Sequence, residues 1–246
     1  MAFILSIDTA VENASVCIAK DDHMLAFREN NKQKDHASWI HTAILQLLQE
    51  TGLERSALDA VAVTAGPGSY TGLRVGLATA KGLCYALNIP LITENTLRVM
   101  AYAVRSELPE QSIGGKENES EPTERITNEA GINHLPTLIC PMIDARRMEV
   151  FTAVYDIQLS ETLKPAAVIL EASSFEELLD QNQVIFCGNG SEKWRSLSAH
   201  PNARYSNVKY HAGHLSVLAF AKLDRRDFTE LAYAEPVYLK NFYTPQ

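Results

Sequence analysis

Five of the twelve glycines lie between residues 66 and 82, most of them in the block Ala65-Gly66-Pro67-Gly68-Ser69-Tyr70-Thr71-Gly72-Leu73-Arg74-Val75-Gly76. Glycines where a strand turns into a helix let the backbone approach a partner closely and aim N–H groups at an anion. A second cluster, Gly188-Asn189-Gly190, follows the apolar run Val184–Cys187. Asp8 and Asp144 each end an apolar run, and a carboxylate pair there would suit a metal-bound nucleotide held between two lobes. Asp8, Gly66, Gly68, Ser69, Asp144, Arg146, Gly188 and Gly190 are thus the candidate nucleotide or phosphate contacts. An Asp that ends a strand before a turn is also common where no ligand binds.

Other chemistries find less support. Past the four residues that follow Gly68 the chain reads Leu73-Arg74 instead of Gly-Lys, so this is not a Walker loop. No Gly-x-Ser-x-Gly elbow frames Ser69, which is better placed to cap the following helix. His36 and His41 diverge by about 140° on a helix. His211 and His214, three apart at the head of a helical stretch, fit capping better than metal ligation. Cys17, Cys84, Cys140 and Cys187 are widely spaced in apolar runs and are expected as buried free thiols of a reducing compartment.

The elements that must position these residues follow from hydrophobic period. Phe3–Asp8, Ala14–Lys20 and Met24–Glu29 are expected to form a three-stranded meander. Trp39, Ile40, Ala43, Ile44, Leu47 and Leu48 recur at helical spacing, with Asp35 as the expected N-cap and Gly52 as the stop. Asp59–Thr64 is a buried strand, Tyr70–Leu87 a long helix and Pro90–Thr93 a returning strand, and Thr96–Arg105 is a helix that leaves this unit. The order then recurs. Leu138–Asp144, Glu149–Tyr155 and Ala167–Leu170 are strands, Ser174–Asp180 a short helix, and Val184–Cys187 runs into the second Gly turn. Gly66 and Gly68 precede Gly188 and Gly190 by the same interval, so an α/β protein built by two-fold duplication, the plan of actin-like folds, is expected, against the alternative of one ordinary mixed sheet with chance similarity.

The expected division is an N-terminal subdomain at 1–105, a flexible acidic insertion at 106–136 and a C-terminal subdomain at 137–246. The formal charge of −8 excludes a strongly basic free-standing nucleic-acid binder. Glu107–Glu129 holds seven acids against two bases, a net −5 that leaves −3 for the rest of the chain. No apolar stretch is long enough to span a bilayer. The N-terminus lacks the marks of a signal peptide, so a cytoplasmic location is expected.

Ile7-Asp8-Thr9, the block from Gly66 to Gly76, Ala80-Lys81-Gly82-Leu83, Asp144-Ala145-Arg146-Arg147 and Pro236-Val237-Tyr238-Leu239-Lys240 together resemble the bacterial TsaB (YeaZ) family. The resemblance covers nearly the whole chain, with Lys240 where the family usually has Arg. It implies an actin-like fold (of the ASKHA class, a duplicated ribonuclease-H-like unit) with two subdomains of mixed sheets flanked by helices. The implied role is a non-catalytic subunit that supports TsaD in transferring threonylcarbamoyl to the adenosine beside the tRNA anticodon. TsaD and the ATPase TsaE are the implied partners, with a homodimer in isolation and tRNA met only indirectly. No cofactor is required by this chain; the pathway uses ATP and Mg, and a nucleotide at the partner boundary is conceivable. The catalytic paralogue's metal-binding His-x3-His falls near Thr96 and Met100 here, neither a useful ligand. Two other classes stand beside this one: an actin-like small-molecule kinase or ATPase, resting on the acids and Gly turns, and a glycoprotease-like peptidase of the M22 type.

The same resemblance places the partner interface on the first two helices. The expected contacts are Trp39, Ile40, Ala43, Ile44 and Leu47 on one, and Gly72, Leu73, Gly76, Leu77, Ala80 and Cys84 on the other. Gly72, Gly76 and Ala80 form a stripe of small residues at four-residue steps. Such a stripe signals close approach, either within the chain or between chains.

Overall fold

The structure is a computed structural model that describes residues 1–31, 35–109 and 135–240. The acidic stretch from 110 to 134, which holds most of the expected insertion, lies outside the described residues.

Among the described residues, ten strands form two five-stranded sheets. The first contains β1 (Phe3–Asp8), β2 (Ala14–Lys20), β3 (His23–Asn30), β4 (Ala60–Gly66) and β5 (Leu91–Asn95), in the order β3-β2-β1-β4-β5. The second contains β6 (Thr137–Asp144), β7 (Glu149–Asp156), β8 (Glu161–Ile169), β9 (Gln183–Cys187) and β10 (Ala203–Ser206), in the order β8-β7-β6-β9-β10. In each sheet the first three strands are antiparallel neighbours, and the fourth pairs parallel with the first. Connectivity and pairing therefore repeat strand for strand, as expected of a duplicated α/β unit. β4 is buried along all seven residues, which explains its unbroken apolar run: a parallel strand covered on both faces has no polar side to show.

The helices are α1 (His36–Thr51), α2 (Tyr70–Leu87), α3 (Thr96–Glu107), α4 (Glu176–Gln181), α5 (Ser191–Arg195) and α6 (Ala212–Asp224). Two of them exchange partners. α3 follows the first sheet in sequence but packs on β6, β7 and β9, whereas α6 follows the second sheet and packs on β1, β2, β4 and β5. One central core results, joining Ile4, Ala62 and Ile92 to Leu97, Val104, Ile139, Tyr155, Leu215 and Ala219. α1 and α2 cover the other face of the first sheet over a second core. A third lies outside the second sheet around fully buried Trp194, whose ring meets Phe175 and Phe186 at 5.5 and 6.0 Å.

Helix ends are set by local chemistry. Gly52 takes a left-handed φ of 66° as the stop of α1, the conformation glycine adopts at least cost. The Ser69 hydroxyl accepts from the Gly72 N–H at the start of α2. At α6, His211 Nδ1 accepts from the Gly213 N–H and His214 Nδ1 accepts from the His211 N–H, so the His pair caps a helix. Asp35 departs from expectation: its side chain makes no cap bond, and its carbonyl accepts from Ser38 Oγ instead. All four cysteines are buried and free.

After α6 the chain runs back over the first lobe. Thr229 bonds Leu91, Lys81 Nζ holds the carbonyls of Ala232 and Ala234 at 3.4 and 3.0 Å, and the Val237 N–H donates to the Ala65 carbonyl. Lys240 then reaches the second lobe and pairs with Glu149.

Candidate functional site

The first Gly turn is filled by its own chain. The Thr9 hydroxyl donates to the Gly72 carbonyl at 2.7 Å, and the Ser69 N–H donates to the Ala10 carbonyl at 2.7 Å. A Cβ built at Gly68 would overlap the Ala10 carbonyl, one at Gly72 the Thr9 carbonyl, and one at Gly76 the Thr9 hydroxyl. Gly66, with φ 119°, has no room either, because the Val237 carbonyl oxygen would lie 2.6 Å from its Cβ. The small-residue stripe thus closes against the end of β1 in the same chain.

The second turn is filled likewise. The Gly190 N–H donates to the Met142 carbonyl at 3.0 Å, and Gly188 (φ 87°) is pressed by that carbonyl and the Met100 methyl. At one of the two positions near which the resemblance puts the paralogue's metal ligands stands Met100. At the other, Thr96 is fully buried with its hydroxyl unpartnered. Among the described residues, no group of three or more His, Cys, Asp or Glu side chains is arranged to hold a metal ion.

The two acids have different surroundings. Asp8 is 1% exposed; its Oδ1 accepts from Thr64 Oγ1 at 2.5 Å and from the Ala10 N–H at 3.3 Å. Its Oδ2 has no hydrogen-bond partner, and the nearby Tyr210 hydroxyl likewise completes no hydrogen bond. Burial pushes the Asp8 carboxyl up to about 6, only partly offset by the Thr64 and Ala10 bonds and by the nearby Tyr210 hydroxyl. Asp144 is exposed, and its Oδ1 accepts from Lys193 Nζ at 2.7 Å and from the Arg146 N–H at 2.6 Å. Its burial is slight and would raise its pKa, but these two donors outweigh it and hold the group below its ordinary value.

A raised carboxylate pKa has a definite sign for stability. The folded state favours neutral Asp8, so its cost to folding is full above about pH 6 and is relieved as the pH falls toward the unfolded value of 3.8. Asp8→Asn keeps an acceptor for Thr64 and removes the charge. Its stability gain over the parent is expected to be roughly 3 kcal/mol at pH 8 and to shrink between pH 6 and 4, from the size of the shift. Denaturant titrations of both proteins across this range check it, and a pH-independent difference would contradict it.

The turns do share one feature, a groove of about 700 Å³ between the lobes. It is lined by Ala10 and Glu12 from the β1–β2 turn, Ser69 and Tyr70 from the head of α2, and Asp144 and Arg146 from the β6–β7 turn, with Lys240 at the rim. Asp144 and Arg146 open onto it, while the Asp8 carboxylate is bound inside the first lobe. Gly68 and Ser69 also line it, but Gly66, Gly188 and Gly190 do not. The anchors identified from sequence are therefore divided between packing and surface.

Most of the expected interface side chains are core. Ile40, Ala43, Ile44 and Leu47, and on α2 Leu73, Leu77, Ala80 and Cys84, are at most 5% exposed, and Trp39 is half-buried. The outer faces present other residues: His41, Thr42, Leu45 and Gln49 on α1, and Thr71, Arg74, Ala78 and Tyr85 on α2. Sequence reasoning selected the apolar stripe of each helix, which the chain's own sheet already covers. Tyr85, 82% exposed, is the signal that could have marked the outer face.

A family model described as TsaD, tRNA N6-adenosine threonylcarbamoyltransferase, matches residues 28–113. Similarity to tRNA threonylcarbamoyladenosine biosynthesis protein TsaB extends much further. The Escherichia coli protein is 26% identical over 97% of this chain and 94% of its own length. The chain is a homologue of the bacterial TsaB (YeaZ) proteins. The Bacillus subtilis TsaB is 28% identical, covering 79% of this chain and 74% of that protein. The solved structure of YeaZ from Pseudomonas aeruginosa superposes with a TM-score of 0.76 at 25% identity, over 97% of this chain and all of that one. Similarity to TsaB and YeaZ proteins thus extends along both lobes.

Proposed function

We propose that this chain is a non-catalytic subunit that binds TsaD and supports transfer of the threonylcarbamoyl group to tRNA. The observation that carries the reading is similarity to TsaB along both lobes, while the TsaD model matches only residues 28–113. Both Gly turns are plugged by the chain's own carbonyls, and the family resemblance puts the paralogue's histidines near Thr96 and Met100, which are not metal ligands of that kind. That argues against the kinase and peptidase readings. TsaD is the primary partner, with TsaE joining the assembly and a homodimer forming when TsaD is absent. The chain itself needs no cofactor; ATP and Mg serve other members of the pathway, and a nucleotide site would lie at the boundary with TsaD. Catalysis reaches tRNA through TsaD, and the complex works in the cytoplasm. Among the described residues no helix is long and apolar enough to cross a membrane.

The test is reconstitution. TsaD from the same organism, its synthase and unmodified tRNA are mixed with and without this chain, and threonylcarbamoyladenosine is quantified. Modification should require the chain, and TsaD alone working at the full rate would refute the reading.

A further inference from the structure

The β6–β7 hairpin turns through Arg146 and Arg147, both left-handed, with φ of 69° and 51°. The Ala145 N–H donates to the Glu149 carbonyl at 3.0 Å, and the Glu149 N–H to the Arg146 carbonyl at 3.1 Å, so the turn is closed and its geometry fixed. Such positions normally take Gly, Asn or Asp; a residue with a longer side chain pays about 1 kcal/mol or more at each. Two adjacent arginines do nothing for the turn. Both are exposed, and neither guanidinium forms an ion pair among the described residues, whereas their acidic neighbours Asp144 and Glu149 are engaged by Lys193 and Lys240. The neighbouring carboxylates are thus already paired with lysines, while the two arginines remain exposed.

Across the groove that Arg146 lines stands a third cation with an aromatic surface. The Arg74 guanidinium lies 4.0 Å over the Tyr70 ring, and its Nε donates to the Tyr238 hydroxyl at 3.1 Å. Tyr70 itself lines the groove. The head of α2 contributes no free donors here, since Ser69 caps Gly72 and the Ser69 N–H is bound to Ala10. Exposed guanidiniums on the hairpin and a third, held against the Tyr70 ring across the groove, set cations on both sides of a channel, the arrangement that meets the phosphates of a polynucleotide strand.

We propose that this groove and the exposed hairpin tip beside it are a direct contact for the tRNA phosphate backbone, with Arg146 in the groove and Arg147 on the adjoining turn as the phosphate ligands. The inference rests on the partner reading above and goes beyond it, because there the tRNA is reached only through TsaD. The local charge is a pair of arginines in an otherwise acidic chain, so the contact adds to the affinity of a complex and does not create a free-standing RNA binder.

The test uses the complex with TsaD and an unmodified tRNA transcript in filter binding from 50 to 300 mM salt. R146E/R147E should weaken binding on the order of tenfold and flatten the log–log salt dependence by between one and two units. R146K/R147K, which keeps the charge, should retain the parent slope, separating phosphate contact from damage to the hairpin. Unchanged affinity and slope in R146E/R147E would overturn the proposal. Co-purification of each variant with TsaD is scored separately, so failure of the partner reading is visible on its own.

Discussion

Replacing Gly72 by Ala is expected to destabilise the chain by about 3 kcal/mol, while Gly82→Ala, ten residues along the same helix, stabilises it by roughly 0.5–1 kcal/mol. The contrast isolates packing from propensity. Both glycines cost the helix conformational entropy relative to alanine. A Cβ at Gly82 meets nothing within 4 Å, so only the propensity gain remains. A Cβ at Gly72 would overlap the Thr9 backbone carbonyl, in the same residue whose hydroxyl bonds the Gly72 carbonyl. Neither group can swing aside, because Thr9 is fully buried at the end of a central strand. Against a typical total stability of ~5–15 kcal/mol, such a loss lowers the melting temperature by several degrees or more. Thermal denaturation of the two variants is the measurement. An unshifted melting temperature for Gly72→Ala would show that α2 does not lie against Thr9 as described. Gly76 faces the Thr9 hydroxyl, so a Gly76→Leu chain that lost its partner would be reporting misfolding before it reported on the interface.

That distinction also explains which parts of the molecule were legible in the sequence. Repetition of pattern was readable, since β1 and β6 are apolar runs closed by Asp, and β4 and β9 are apolar runs closed by glycine. The exchange of α3 and α6 between sheets was only half visible: Thr96–Arg105 reads as a helix leaving its unit, but nothing in Ala212–Asp224 says which sheet it will cover. β10 has only four residues, none fully buried, too little for a period to show. β8 extends to Glu161 although Leu170 lies beyond its end, because its first four residues are exposed edge and carry no alternation of burial. At the site, residue types were readable and directions were not. Asp8 and Asp144 look alike in sequence, yet one is buried near Tyr210 and the other is held at the surface by Lys193. An apolar stripe on a helix declares that it will be covered; whether its own sheet or another chain covers it is settled by tertiary packing.

With the apolar stripes spent on the core, an interface on α1 and α2, as the resemblance implies, would use their outer faces, and the second large effect is expected there. Leu45→Glu combined with Tyr85→Glu should reduce association with TsaD by a hundredfold or more, since each truncation of a central apolar or aromatic anchor is worth ~2 kcal/mol. Leu45 is 44% exposed and Tyr85 82% exposed, so charging them leaves the fold within about 0.5 kcal/mol of the parent. An exposed Leu or Tyr alone is ordinary on any surface. What favours this face is its composition, with Thr42, Ala78 and Gly82 giving little relief around the two anchors on helices that pack side by side. Lys81 is turned aside to the Ala232 and Ala234 carbonyls and leaves α2 without a competing charge at its middle. Arg74, bound to Tyr238 and stacked on Tyr70, instead marks where this face ends and the groove between the lobes begins. The expected result is a doubly substituted chain that melts like the parent and elutes apart from TsaD in size-exclusion chromatography. A chain that melts like the parent and still co-elutes with TsaD would move the interface off these helices.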